Sequence, residues 1–121
     1  MSVQPHILIV DDDVQTREAL RAVLAHHGYE ALLAENGADG LAKLRSGVRP
    51  NVILLDLMMP EKNGFQFRVE QVMDPELAKI PVILYSGNPE AYEEGKIFGP
   101  VACLAKPINV GELLTVLKSY C

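Results

Sequence analysis

Short, almost unbroken apolar runs, each followed by a segment of helical period, recur along this chain and restrict its architecture more than any other feature. Ile7-Leu8-Ile9-Val10 and Val52-Ile53-Leu54-Leu55 are the sharpest cases. Aliphatic runs without polar alternation suit strands buried on both faces, as in a parallel sheet covered by helices. Strands are expected over His6–Val10, Glu30–Ala34, Asn51–Leu55, Pro81–Tyr85 and Val101–Leu104. Between the first two, Leu20, Val23, Leu24 and His27 follow the i, i+3, i+4, i+7 spacing of one helix face, and Gly28 supplies a stop. A second helix is expected from about Ala38 to Ser46, closed by Gly47, and a third from near Gly64 to just before Pro75. Val110, Leu113, Leu114 and Leu117 repeat the helical spacing at the end of the chain. Between the last two strands, Asn88-Pro89 can open a helix that Gly95 and Gly99-Pro100 keep short. Alternating strands and helices with short links imply right-handed crossovers and a doubly wound α/β fold with helices on both faces.

The length, 121 residues, fits one domain over residues 1–121, with no output domain expected in the chain. A chain of that size buries a real core without disulfides or a structural metal. The hydrophobic share of 49% against 22% charged places it with globular proteins rather than disordered ones. A net charge of −5 without a basic stripe argues against direct nucleic-acid binding, which needs Lys and Arg to displace phosphate counterions. Two cysteines, Cys103 and Cys121, form no motif and fit a reduced, cytoplasmic protein. The start, Met1 to His6, lacks the basic and apolar regions of a signal peptide. No apolar run approaches the ~20 residues of a bilayer span, so membrane insertion is not expected.

In an open α/β sheet the ligand site lies beyond the carboxyl ends of the strands. Asp11, Asp12 and Asp13 follow the first expected strand, Asp56 the third, Ser86 the fourth, and Lys106-Pro107 the fifth. Two carboxylates about 5 Å apart repel by roughly 3 kcal/mol at an effective dielectric near 20, so such a cluster wants a cation. Oxygen-only ligands with room for water and phosphate oxygens suit Mg²⁺, or Mn²⁺, better than Zn²⁺. A carboxylate can attack phosphorus to form an aspartyl phosphate. A metal would screen that approach, and Lys106 and Ser86 would contact the phosphoryl oxygens.

Each element also has a plainer reading. Asp13 suits a helix N-cap. An Asp11-Asp12 pair alone is commonly a solvated loop, and Ser86-Gly87 alone a turn. His6 opens a strand, while His26 and His27 close a helix where an imidazole suits the dipole. Gly37 to Gly40 opens a helix and is not a phosphate loop, because no Gly-Lys-Ser/Thr follows. Met58 and Met59 read as filler. The signal is the conjunction of chemically matched groups at separate strand ends.

Val10-Asp11-Asp12, then Leu55-Asp56-Leu57-Met58-Met59-Pro60 with Gly64, then Ser86-Gly87 and Lys106-Pro107, resemble the receiver domain of bacterial response regulators over nearly the whole chain. The resemblance implies a flavodoxin-like (βα)5 fold whose parallel five-stranded sheet has the order 2-1-3-4-5. It implies that Asp56 is the phosphorylation site. Asp12, Asp56 and the backbone carbonyl of Met58 would ligate Mg²⁺, with Asp11 acting through a metal-bound water. Ser86 would be the switch hydroxyl, Lys106 the phosphate-binding lysine, and Lys106-Pro107 a cis peptide. Three residues before the lysine the family commonly has Tyr or Phe; here that place is Cys103. Ile108 replaces a frequent Phe, and the segment from Ser86 to Lys106 is shorter than usual. The implied partners are a sensor histidine kinase or histidine phosphotransfer protein and an unknown downstream effector.

Two other readings compete. Phosphatases of the haloacid dehalogenase type also use an aspartate nucleophile and Mg²⁺, and the Asp11–Asp13 spacing partly matches them. Their second aspartate would fall where Met58 stands if Asp56 were the nucleophile, and the chain lacks the length of their cap. The other reading is a receiver-like interaction module with weak or no phosphorylation-dependent switching, which Cys103 favours.

Overall fold

The computed structural model describes residues 5–57, 59, 63–88 and 93–121. Strands β1 (Ile7–Val10), β2 (Ala31–Ala34), β3 (Val52–Asp56), β4 (Val82–Ser86) and β5 (Ala102–Ala105) form one sheet of order β2-β1-β3-β4-β5. Every neighbouring pair is parallel. The helices are α1 (Val14–His26), α2 (Gly37–Arg45), α3 (Gly64–Met73), a single turn α4 (Pro75–Ala78) and α5 (Val110–Leu117). Among the described residues, no helix is long and apolar enough to cross a membrane.

The aliphatic runs are buried on both faces because alternate residues point to opposite sides of the sheet. Leu8, Val10, Ile53, Leu55 and Leu84 join Leu41 and Leu44 of α2, Phe67 of α3 and Leu77 of α4 in one core. Ile7, Ile9, Leu54, Ile83 and Tyr85 join Leu20 and Leu24 of α1 and Leu113 and Leu117 of α5 in the other. Each fully buried aliphatic side chain contributes about 1.5–3 kcal/mol relative to exposure, so the two cores hold the strands in a stiff frame.

The helix starts share one device. Asp13, Asn36, Asn63 and Asn109 each accept a backbone N–H of the first turn through the side chain. At Asn63 the capping is reciprocal: the Gln66 side chain accepts the Asn63 N–H at 2.8 Å, and Asn63 accepts the Gln66 N–H at 3.0 Å. At the other end of α1, Gly28 takes a φ of 87°, which a Cβ would disfavour, so the expected stop is present.

Strand bounds differ from the sequence expectation by one residue. The ladders continue through Asp56↔Tyr85 and Ser86↔Ala105, so Asp56 and Ser86 end their strands rather than follow them, while Asp11 and Lys106 stand just past theirs. His27 does not join the buried face of α1; the helix ends at His26 and His27 is exposed. The turn α4 follows α3 where the sequence pattern gives only the stop at Pro75. Asp74 caps it and Pro75 opens it, while Gln71 anchors it through bonds to the Leu77 and Ile80 carbonyls at 2.9 and 3.1 Å. In the short segment before β5, residues 93–95 are helical and Lys96–Phe98 form a 3-10 turn that ends at Gly99. The expected opening at Asn88-Pro89 falls partly outside the described residues.

Gly64 shows how closely the frame holds the end of β3. A Cβ there would stand 2.7 Å from the Asp56 carbonyl oxygen and 2.7 Å from Leu57 Cα, both backbone atoms that cannot yield cheaply. Gly64→Ala is therefore expected to cost about 1–3 kcal/mol, the usual range for overpacking. Equilibrium urea unfolding checks this, and a loss below about 0.5 kcal/mol, the scatter of neutral surface changes, would contradict it.

Candidate functional site

The strand order reverses between β2-β1 and β1-β3-β4-β5, which opens a crevice at the carboxyl ends of β1 and β3. Asp11 and Asp12 leave β1 there, and Asp56 ends β3 beside them. One carboxylate oxygen from each of Asp11, Asp12 and Asp56 lies within 4.8 Å of the others. Asp11 and Asp56 are 0% and 1% exposed, whereas Asp12 faces solvent.

Buried carboxylates at this separation require counter-charge or donors. Lys106, just past β5, supplies the charge. Its Nζ donates to Asp56 Oδ2 at 2.9 Å and stands 3.7 Å from Asp11 Oδ2. Asp11 is further held by the Asp13 N–H at 2.9 Å on Oδ1 and by the Tyr85 hydroxyl on Oδ2. Arg17 reaches back from α1 to donate to the Asp11 carbonyl at 2.7 Å. Ser86 is buried at the end of β4. Its hydroxyl oxygen accepts the Asn88 N–H at 3.0 Å, and its carbonyl accepts the Lys106 N–H at 3.0 Å. The Lys106-Pro107 bond is cis.

The electrostatics follow from these contacts. Partial burial alone would lower the Lys106 pKa. The Asp56 hydrogen bond and the charges of Asp56, Asp11 and Asp12 outweigh it, and the net shift is upward. Burial pushes the Tyr85 phenol far above its ordinary value, and the Asp11 charge and hydrogen bond add to that. The Thr16 hydroxyl and the Gln15 N–H hold Asp13 below the usual carboxylate value, which fits the N-cap reading rather than a ligand.

The structure thus brings together Asp11, Asp12, Asp56 and Lys106, and sets Ser86 on the adjoining strand. Met58, named for its backbone carbonyl, lies outside the described residues. The donor set fits a hard divalent cation: three carboxylates, two of them buried, with no Cys or His among them and, among the described residues, the Lys106 ammonium against their combined charge. Cys103 sits on β5 opposite Leu84, half-buried against the α2–α3 core, where burial pushes its thiol up. His6 accepts the Glu30 N–H through Nδ1 at 3.0 Å, a strand-edge contact far from the cluster. A groove of about 970 Å³, lined by Pro5, Arg21, Tyr29 and Gly47, lies at the amino ends of the strands and holds none of these groups.

Tyr85, whose hydroxyl meets Asp11, is a further site residue outside the strand-end motifs. In sequence it falls at the end of an aliphatic run, and its place directly before Ser86 is the available signal.

A parallel sheet of order 2-1-3-4-5, with an acidic cluster at its switch point and a lysine beyond the last strand, defines the receiver class. The family model "Response regulator receiver domain" matches residues 7–118, and the chain belongs to that family. The chain is 38% identical to Protein PilH of Pseudomonas aeruginosa, across 93% of this chain and 94% of that protein. It is 31% identical to the transcriptional regulatory protein CpxR homolog of Haemophilus influenzae, of which it spans 48%. Among solved structures, the chemotaxis protein CheY4 of Vibrio cholerae superposes with a TM-score of 0.86 at 31% identity, covering 98% of this chain and 100% of that one. Receiver domains are two-component signalling modules rather than turnover enzymes.

A raised folded pKa means that Lys106 stabilises the fold fully below the unfolded lysine value of about 10.4, and the contribution fades as pH rises through the folded value. Tyr85 acts in the same sense from about pH 10. In EDTA, urea unfolding is expected to show stability falling above about pH 10, with a shallower fall in Lys106→Met. Equal slopes in the two proteins would contradict the assigned coupling.

Proposed function

We propose that this chain is the phosphoacceptor module of a two-component phosphorelay, acting in the cytoplasm as a single receiver unit over residues 1–121. Asp56 accepts a phosphoryl group from the phosphohistidine of a sensor histidine kinase or a phosphotransfer protein, and a downstream effector reads the result. The observation that carries this reading is the environment of Asp56. A buried carboxylate ends a central strand, 2.9 Å from the Lys106 ammonium and beside two further carboxylates.

An Asp56 carboxylate oxygen attacks phosphorus in line as the P–N bond of the donor breaks. The imidazole takes the electron pair and then a proton from water. Asp12 and Asp56, with the Met58 backbone carbonyl, would hold Mg²⁺ or Mn²⁺, with Asp11 acting through a bound water. Bound there, the cation supplies charge screening between nucleophile and donor and neutralises a phosphoryl oxygen. Lys106 lies between Asp56 and Asp11 and needs only a short movement to follow a second oxygen. The Ser86 hydroxyl, which accepts the Asn88 N–H, would donate to a third. Catalysis is positioning and electrostatics, as phosphoryl transfer requires. The aspartyl phosphate then loses its phosphoryl group to water.

Cys103 favours a second reading. The family resemblance implies an aromatic ring at that place to couple with the switch hydroxyl. A small half-buried thiol on the α2–α3 side of β5 provides none. On that reading the fold presents an interaction surface whose shape changes little on phosphorylation.

Incubation with a small-molecule phosphodonor and Mg²⁺, followed by intact mass, tests the first reading. The expected outcome is a gain of one phosphoryl group that EDTA and Asp56→Asn abolish. A folded, Mg²⁺-binding protein that never gains mass would leave the interaction module. Sustained release of phosphate from varied esters would instead indicate a phosphatase.

A further inference from the structure

We propose that Tyr85 is a positioning residue for the acidic cluster: its hydroxyl holds Asp11 in the orientation that divalent-cation binding uses. This rests on the phosphoacceptor reading above and extends it to a residue that the strand-end motifs do not include.

Tyr85 is fully buried among Ile9, Leu20, Ile83 and Leu104, on the face covered by α1 and α5. The residues before it on β4, Val82, Ile83 and Leu84, are aliphatic, and a Leu or Phe at position 85 would fill the core without bringing in a polar atom. A buried hydroxyl is costly unless it finds a partner. The partner here is a carboxylate, Asp11 Oδ2, and a charge-assisted bond of that kind is among the stronger ones.

The geometry links Tyr85 to the cluster in three ways. Its hydroxyl donates to Asp11. Its ring lies beneath Lys106, with Nζ 4.8 Å from the centroid, a cation–π distance. Its backbone carbonyl accepts the Leu57 N–H at 3.2 Å, directly after Asp56, and Tyr85 is the ladder partner of Asp56. Asp11 therefore has Oδ1 held by the Asp13 N–H and Oδ2 held by Tyr85, so its carboxylate plane is fixed from both ends. Without the hydroxyl, the main attraction left on Oδ2 is Lys106 at 3.7 Å, and the soft terminal torsion of an aspartate lets the carboxylate turn toward it. Partners that orient a metal-binding carboxylate from behind typically change metal affinity by 10–100-fold when removed.

Isothermal titration of the unphosphorylated full chain with MgCl₂ tests this, comparing wild type with Tyr85→Phe, which keeps the ring and removes the hydroxyl. The expected result is a Mg²⁺ Kd raised on the order of tenfold in Tyr85→Phe. Phosphodonor labelling is then slowed at limiting Mg²⁺ but restored to near the wild-type rate at saturation. A purely structural role would lower the melting temperature in EDTA and leave the Kd unmoved. A Kd in Tyr85→Phe that is tighter than wild type or within about twofold of it, the wild type binding and labelling normally, overturns the role of Tyr85 alone. A wild type that takes up neither Mg²⁺ nor a phosphoryl group overturns the phosphoacceptor reading and this one with it. Should Tyr85→Phe not fold, wild-type protein labelled at tyrosine ¹³Cζ serves instead. The Tyr85 signal is expected to move on Mg²⁺ saturation, and a static signal in a Mg²⁺-binding protein overturns the proposal.

Discussion

Two carboxylates, Asp11 and Asp56, are buried at one end of the sheet with a third, Asp12, beside them, and much of the molecule is arranged around the cost of that placement. Each close pair repels by roughly 3 kcal/mol at an effective dielectric near 20, and burial removes the water that would screen it. The compensation comes from several directions. Lys106 brings the counter-charge from beyond β5, while the Tyr85 hydroxyl and the Asp13 N–H occupy the oxygens of Asp11. Helix α1 begins two residues past Asp12, so its positive end also faces the cluster. Such an arrangement leaves net negative charge at the site, which is the condition a divalent cation would relieve.

Holding those groups within hydrogen-bonding reach requires a frame that does not yield. The two aliphatic cores provide it by clamping β1, β3 and β4 between α2–α3 on one face and α1–α5 on the other. Close packing turns small displacements into lost contacts, so the strand ends are held to a fraction of an ångström. The start of α3 approaches the Asp56–Leu57 backbone closely enough that only glycine fits at position 64. Lys106 is tied in register by its own N–H on the Ser86 carbonyl, which couples the end of β5 to the end of β4.

Membership of the receiver family places this chain beside relatives matched over nearly their whole length, such as PilH, and beside longer regulators that it matches over about half their length. Cys103, on β5, faces the α2–α3 core, where the family resemblance leads one to expect a ring. The ring that does reach the site belongs to Tyr85, on β4 and the opposite face, and it touches Asp11 and Lys106 rather than the surface beyond β5. The aromatic side chain at the acidic cluster therefore lies on the α1–α5 side of the sheet.

The sequence by itself determined the alternation of strands and helices, because unbroken aliphatic runs and the i, i+3, i+4 spacing of Val110, Leu113, Leu114 and Leu117 are local patterns with one good solution each. It also marked Asp11, Asp12, Asp56, Ser86 and Lys106 as strand-end groups, since the carboxyl edge of a parallel sheet gathers such residues whatever the loops do. Tertiary structure decided what local pattern could not. Whether Asp56 and Ser86 end their strands or follow them depends on ladder partners, Tyr85 and Ala105, that are distant in sequence. His27 fell outside the buried face of α1 because Gly28 closed the helix one residue earlier than the spacing suggests. The turn Pro75–Ala78 forms because Gln71 offers it hydrogen bonds across a gap in sequence. Tyr85 looked like one more strand residue until packing set its hydroxyl against a carboxylate 74 positions away. Non-local contacts of this kind are set by how layers stack, and a run of residues carries no local record of them.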